Sequence, residues 1–465
     1  MRKMPRVRRM FLAAAAALSS LAVAPIASTP GVDAAPDDIV AIVIDGVGNG
    51  HGRGMSQWGA YGYAVDHGWE WDQILDFYYG GTIAATTPAN QRIAVRLTDY
   101  DGMGEVGVIS HGSPVRWGSA SGASMRAVET SPGVFDVYSS QQVACPSTTS
   151  LTVPDGPVVQ ASGYNASAVS VQRFLKTFHD TGIVVDGYFG NQTATVLADW
   201  QQDEGLDVDG TRWDSADAGA ARQIIAASGA AVSWSKVGTH TQTTGSPVEF
   251  TSADGDDSAV DRGDVLGVCS SGGAVNHYRG AIEIMSSSSG NRVVNDVLAE
   301  AYVRGVIPKE IAASWAYAGD GAGVHAVQAQ AVAARSYGLE QNRSYNYPNS
   351  STRYATTCDT TACQVYGGSA TRGSANGSVT NVEHVATDAA VLATSNVIRE
   401  WPSGHPKAGQ IVSTEFSASN GPRTAGGAFP PVDDIGDDTP QNPYHRWTRI
   451  IDADTFAAQH GLGQI

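Results

Sequence analysis

Gly50-His51-Gly52-Arg53-Gly54-Met55-Ser56-Gln57-Trp58-Gly59-Ala60 lies early in the chain. Tyr302-Val303-Arg304-Gly305-Val306-Ile307-Pro308-Lys309-Glu310 lies far downstream, followed by His325-Ala326-Val327-Gln328-Ala329-Gln330-Ala331-Val332-Ala333-Ala334-Arg335-Ser336-Tyr337. These stretches decide how the sequence is read. The first is a polar, glycine-bared loop that opens a helix. Ala41 to Asp45 reads as a short strand running into it. The helix spans about Ser56 to Asp66, with Ser56 as N-cap and His67-Gly68 as stop. Downstream, Asn295-Asp296 reads as the cap of a helix carrying Leu298, Tyr302 and Val303, which Gly305 ends. Pro308 then fits the first turn of another short helix, placing Glu310 near an N-terminal end. A long helix follows from about Val324 to Glu340. Its run of Ala326, Ala329, Ala331, Ala333 and Ala334 allows close backbone packing.

Outward from these stretches the pattern changes. A second helix is expected near Asp72 to Tyr79. From Arg92 to about Gln142 apolar and polar residues alternate, with turns such as Asp101-Gly102 and Pro132-Gly133, as half-buried strands require. Pro146 to Ser167 is a Ser/Thr/Pro/Gly linker. Beyond it, Val171, Phe174, Leu175 and Phe178 follow helical spacing. Val185-Asp186-Gly187-Tyr188-Phe189-Gly190-Asn191-Gln192-Thr193 caps a second helix with Val196, Leu197 and Trp200, and Val208-Asp209-Gly210-Thr211 is a degraded echo of that turn. After residue 230 strands resume, at Val265 to Val268 and in a hairpin around Ser289-Gly290-Asn291. The helical unit is therefore read as interrupting one β module.

The N-terminus has the form of a signal peptide. Arg2, Lys3, Arg6, Arg8 and Arg9 precede an apolar Phe11 to Val23, and Val32-Asp33-Ala34 offers a cleavage site near Ala34. No later stretch is long and apolar enough for a membrane helix, so a secreted or cell-wall location is expected. The full 465-residue chain carries −17. The five basic residues and Asp33 of residues 1–34 carry +4 together, which leaves −21. Such acidity argues against nucleic acid as a partner. The four cysteines suit two disulfides in an exported protein. A Cys145–Cys269 bridge would tie the β module together at the insertion point.

The two opening stretches resemble the SpoIID/LytB family, which acts on bacterial cell-wall glycan. Asp-Gly-x-Phe-Gly-x-x-Thr at Asp186 to Thr193 is similar to the small three-helix peptidoglycan-binding domain of wall hydrolases. The fold so implied is α+β, a mainly β module with a few packed helices. The expected parts are a signal peptide at 1–34, the N-terminal part of the module at 38–158, the three-helix domain at 166–228, and the C-terminal part with the catalytic segment at 232–465. The Gly-His-Gly segment often lies at the C-terminal end of the family module. Here it comes first, as a circular permutation would place it.

By the resemblance Glu310 is the catalytic acid of a lytic transglycosylase. One carboxyl group serves: it protonates the leaving oxygen, then takes the proton of the sugar's own 6-hydroxyl as the ring closes. Read without the resemblance, Glu310 is a helix-favouring charge. A helix N-terminus would lower its pKa, so burial, with Trp315 and Tyr317 as the expected apolar wall, would have to outweigh the dipole. His51, Ser56 and Gln57 are candidate sugar contacts; a purely structural turn is the competing reading. Gln330 and Arg335 are further candidates on the alanine-rich helix. Thr414-Glu415-Phe416-Ser417-Ala418-Ser419-Asn420-Gly421-Pro422-Arg423-Thr424 resembles another family segment, in which Ser419, Asn420 and Thr424 would line the groove. Asn420 and Pro422 depart from that segment's usual Ser and Gly.

Some family members bind zinc near the segment matching Cys358 to Tyr366. This chain has no histidine between His325 and His384, and two thiolates make half of a tetrahedral site, so a Cys358–Cys363 disulfide is preferred over zinc there and no cofactor is expected. G-x-G-x-x-G, a P-loop, H-E-x-x-H and G-x-S-x-G are all missing. The expected partners are peptidoglycan glycan strands. Two other functions compete: a non-catalytic enhancer of a cell-wall amidase, the role implied by the LytB half of the name, and a plain wall-binding protein.

Overall fold

The alternation between Arg92 and Gln142 becomes strands because one face of each can be buried. In Arg92–Arg96, Ile93 and Val95 are buried; in Val134–Ser140, Phe135 and Val137 are. The computed structural model describes residues 40–146, 153–227, 234–252, 262–340 and 345–462. The expected signal peptide lies outside the described residues.

Two large sheets carry the main unit, residues 46–447. One has eight strands, in the order Ser235–Thr241, Val134–Ser140, Ser124–Ser131, Glu105–Ile109, Leu266–Cys269, Val275–Tyr278, Ala370–Arg372, Val379–Asn381. The other has seven, in the order Thr357–Cys358, Arg92–Arg96, Gly290–Leu298, Ala281–Ser287, Val248–Ser252, Val115–Trp117, Ala120–Gly122. Neighbours are antiparallel, except that Thr357–Cys358 runs parallel to Arg92–Arg96. Val108, Met125 and Phe135 of the first sheet meet Ile93, Phe250 and Ile284 of the second in one core. The fold is α+β.

Both sheets contain strands from before and from after the helical unit. Ser139 pairs with Ser235, so residues 141–234 grow out of the end of an antiparallel pair. A disulfide joins Cys145 to Cys269 beside this junction. The unit has its own core, in which Trp200 stacks on Trp213 at 5.4 Å and Phe174 meets both edge-on. Its helices are Ala166–Phe178, Asn191–Asp203 and Ser215–Ala227. The degraded echo is a structural repeat. The Gln172 amide oxygen accepts from the N–H groups of Asp186 and Gly187, and that of Gln201 accepts from Asp209 and Gly210.

The downstream helices differ from expectation. Gly290–Leu298 is one strand, so Asn295-Asp296 lies in a sheet and caps nothing. Buried, β-branched Val293, Val294 and Val297 favour the pleated surface. A single helix, Ala299–Glu310, follows at once. Gly305 does not end it. A side chain there would strike the Tyr366 ring at 2.6 Å, so this glycine permits close packing. Glu310 is consequently the last residue of a helix, at the opposite pole from the one expected. Helix Val324–Glu340 runs between two cores. Val327, Ala331 and Ala334 face the sheets, while Ala326, Ala329 and Ala333 face the aromatic cluster of helices Gln57–Val65 and Trp71–Tyr78.

Strand Ala41–Gly46 pairs with Trp447–Asp452, all but Gly46 and Trp447 falling in the second unit, where helix Ala453–His460 begins on the capping carboxylate of Asp452. Among the described residues no helix is long and apolar enough to cross a membrane.

Because both sheets close without the helical unit, replacing residues 153–227 by a short Gly/Ser linker should leave one cooperative thermal transition. Its stability should change by no more than about 1 kcal/mol. Calorimetry showing a broad, non-cooperative melt would contradict this architecture.

Candidate active site

The Gly50–Ala60 stretch lies against the Thr414–Thr424 segment. Met55–Ser56 pairs in parallel with Phe416–Ser417, and Asn49 bridges to Ser419. The glycines are required by this approach. Gly54 has φ +66°, and a side chain on it would sit 2.0 Å from the Glu415 carbonyl oxygen. Gly50, at φ +107°, packs on the Ser417 side chain.

Across from this wall lies a cleft of about 500 Å³ that Glu310 lines together with His51, Arg53, Tyr337, Val365 and Glu415. The structure thus brings together the acid and the histidine loop, separated by more than half the sequence. The Val365 N–H donates to Glu310 Oε1 at 2.9 Å, and the Gln57 side chain supplies a second hydrogen bond. Burial pushes the Glu310 pKa up, and these two hydrogen bonds oppose it less strongly. The helix end adds to the upward push, since a C-terminus presents partial negative charge. The expected conflict between dipole and burial is therefore removed.

Trp315 and Tyr317 do not supply the apolar wall. Trp315 packs against Trp58 and Tyr61 at 4.7 and 4.9 Å, and Tyr317 is exposed. Tyr337, Phe416 and Val365 line the cleft instead.

His51 Nδ1 accepts the Arg53 N–H at 3.0 Å, leaving Nε2 as the protonated nitrogen of the neutral ring. Burial, then the nearby Arg53 charge, lower its pKa, which favours that neutral form. Arg53 grips Glu415 with both arms of its fork, Nε to Oε2 at 3.0 Å and Nη2 to Oε1 at 2.7 Å. The Arg53 hydrogen bonds hold the Glu415 carboxyl below its usual range.

Several expected sugar contacts have side chains that are buried and turned to protein. Gln57 faces Glu310. Ser56 caps its helix through the Gly59 N–H and donates to Asp437 Oδ2. Ser419 also donates to Asp437, while Asn420 binds the Asp437 carboxylate through its N–H and the Gly54 carbonyl through its amide. Thr424 accepts the Val432 N–H. Arg335 forms a two-pronged pair with Glu300 at 2.7 and 2.8 Å and donates to the Val397 carbonyl, fastening helices rather than orienting a ligand. Gln330 is buried in the helix, with no partner for its amide among the described residues.

Cys358 and Cys363 form a disulfide, and Thr361 to Val365, in and just after the loop it closes, line the cleft. With both sulfurs bonded to each other they offer no thiolate. Among the described residues no group of three or more His, Cys, Asp or Glu is placed to hold a metal. The residues present do not fit a zinc centre.

Sequence reasoning missed Arg53 and Glu415 as a pair, and it missed Asp437. A signal existed for the pair: opposite charges stand in the two segments whose resemblance already placed them in one site. Asp437 had none, being one acid among many in a polar tail.

Residues 287–401 match the family model described as Stage II sporulation protein, SpoIID, and residues 165–211 match the Putative peptidoglycan binding domain. The first match spans the Glu310 helix, the alanine-rich helix and the cysteine pair. The chain thus carries a SpoIID domain preceded by a peptidoglycan-binding domain, and it is a cell-wall-acting protein. No curated protein and no solved structure matches the chain.

Burial raises the folded-state pKa of Glu310 above its unfolded value, so ionisation costs native stability as pH rises through that folded value. Glu310→Gln should therefore melt higher than wild type at pH 8 and equally at pH 4. A lower melting temperature at pH 8 would mean that the carboxylate is the stabilised form. Asp437→Ala should cost roughly 3 kcal/mol or more in denaturant unfolding, because several buried donors lose their acceptor together.

Proposed function

We propose that the chain is an exported lytic transglycosylase that cuts the muramic–glucosamine bond of peptidoglycan through Glu310 and uses the helical module to hold the wall. The carrying observation is that Glu310, a carboxyl biased by burial towards its protonated form, lines a sugar-sized cleft facing the His51 loop.

The neutral acid gives its proton to the glycosidic oxygen, and the bond from that oxygen to the muramic C1 breaks. Positive charge spreads over C1 and the ring oxygen. The Glu310 carboxylate so formed is received by the Val365 N–H and Gln57. It then takes the proton of the muramic 6-hydroxyl as that oxygen bonds to C1. The product ends in an anhydro ring, no water is consumed, and Glu310 regains its proton. Burial serves the first half of the cycle and the two donors serve the second. Neutral His51 offers its Nε2–H as a hydrogen-bond donor to sugar. The two disulfides and the wall-directed domains fit an extracellular setting for this chemistry.

Digestion of peptide-free glycan strands tests this. Wild type should release anhydro-ended fragments, and Glu310→Gln should be slower by about 10²–10⁴-fold. Equal rates would remove Glu310 from the role. No products from either protein, together with stimulation of an added wall amidase, would favour the enhancer reading.

A further inference from the structure

Glu415 is a second carboxylate in the cleft, and the reaction as written has no use for it. In ordinary glycosidases a second carboxylate activates water or attacks C1. Glu415 is built for neither. Its two oxygens are held by Arg53, with Nε at 3.2 and 3.0 Å and Nη2 at 2.7 Å, so its basic lone pairs are engaged. Its backbone is fixed as well: the Glu415 carbonyl accepts from the Met55 N–H at 3.1 Å and from the Tyr79 hydroxyl at 2.9 Å. The side chain is only partly exposed, at 27%. A poor base held in one orientation, partly shielded from solvent and lining the same cleft as the proton donor, is a fixed negative charge.

We propose that Glu415, oriented by Arg53, stabilises the positive charge that develops on the muramic ring when the glycosidic bond breaks. The proposal rests on the transglycosylase reading. No atom is transferred to or from Glu415. Its contribution is electrostatic and grows with the charge on the sugar, so it acts on the transition state and not on the neutral ground state. Arg53 is a positioning residue. It keeps Glu415 ionised and prevents it from delivering water, which directs the reaction to ring closure. The acid and the fixed charge have opposite requirements, and the cleft meets both. Glu310 has neutral hydrogen-bond donors and a helix C-terminus beside it, whereas Glu415 has a guanidinium.

Two measurements test the proposal together. In the first, Glu415→Gln on peptide-free glycan should lower kcat by about 10²-fold with KM changed less than about threefold, since only the charged state loses a partner. Glu415→Asp should recover part of the rate. In the second, binding is measured by calorimetry in a Glu310→Gln background. An iminosugar carrying a cation at its ring nitrogen should lose affinity about tenfold or more on adding Glu415→Gln, while the matching neutral sugar should not. Unchanged kcat in Glu415→Gln, a rise confined to KM, or equal loss for both probes would overturn the proposal and leave Glu310 as the acid. Wild-type products bearing reducing ends would instead overturn the transglycosylase reading on which it rests. A melting temperature for Glu415→Gln close to wild type verifies that the fold is intact.

Discussion

The cleft depends on one buried carboxylate. Asp437 is fully buried and accepts hydrogen bonds from the Ser56 and Ser419 hydroxyls, the Asn420 N–H, the Asn442 amide and His445 Nδ1. Removing a carboxylate from water is costly unless donors replace the solvent. Here the donors come from segments hundreds of residues apart. Ser56 opens the first helix, and Ser419 and Asn420 belong to the segment bearing Glu415. The carboxylate is satisfied only when the glycine loop and that segment are brought together. That requirement sets one wall of the cleft, and through it the positions of His51, Arg53 and Glu415. Asp434 adds a neighbouring anchor, accepting the Tyr78 hydroxyl at 2.8 Å, with its own pKa pushed by burial to about 7.

The opposite wall depends on where one helix stops. Ala299–Glu310 starts directly from a central strand of the seven-stranded sheet, so its direction is set by the sheet and its end by length. Pro308 lies in its last turn, where the missing N–H forfeits a single hydrogen bond. Ending the helix on Glu310 places the carboxyl where backbone carbonyls, not N–H groups, are unpaired. The polarity of that end favours the neutral acid. The Val365 N–H that contacts Glu310 lies two residues after the Cys358–Cys363 bridge, and Gln364 between them donates to Tyr302 and the Ala334 carbonyl. The disulfide and Gln364 hold the loop that the acid requires.

Much of the fold was legible where periodicity is local. The alternation at Ile93 and Val95, the Ser56 cap and the boundaries of Val324–Glu340 all express themselves within a few residues. The hairpin after Ala281 was legible in kind but not in length, because Asn295-Asp296 imitates a helix cap whereas the surrounding valines favour a strand. Gly305 misled for a similar reason. A glycine that stops a helix and a glycine that admits a neighbouring ring look alike in sequence, and only the approach of Tyr366 separates them. The polar site residues were harder still. Ser56, Ser419, Asn420 and Thr424 have the chemistry to bind sugar, yet each is consumed by a protein partner. Residue type cannot report whether a donor is already spent.

This distinction also organises the cleft. The polar groups that build it are buried and paired, which gives the walls rigidity without leaving them exposed to compete for substrate hydrogen bonds. The groups that remain reach the cleft with their electrostatic states already set, Glu310 towards neutral by burial, His51 towards neutral by burial and by Arg53, Glu415 towards charged by Arg53. A chain with a net charge of −17 surrounds them. Long-range repulsion from that surface is screened within about 10 Å at moderate salt, so it does not determine the state of groups in contact. Local partners do. Two glutamates in one cleft can therefore differ in protonation at the same pH, and that difference is what a reaction passing through a neutral acid and a cationic sugar needs.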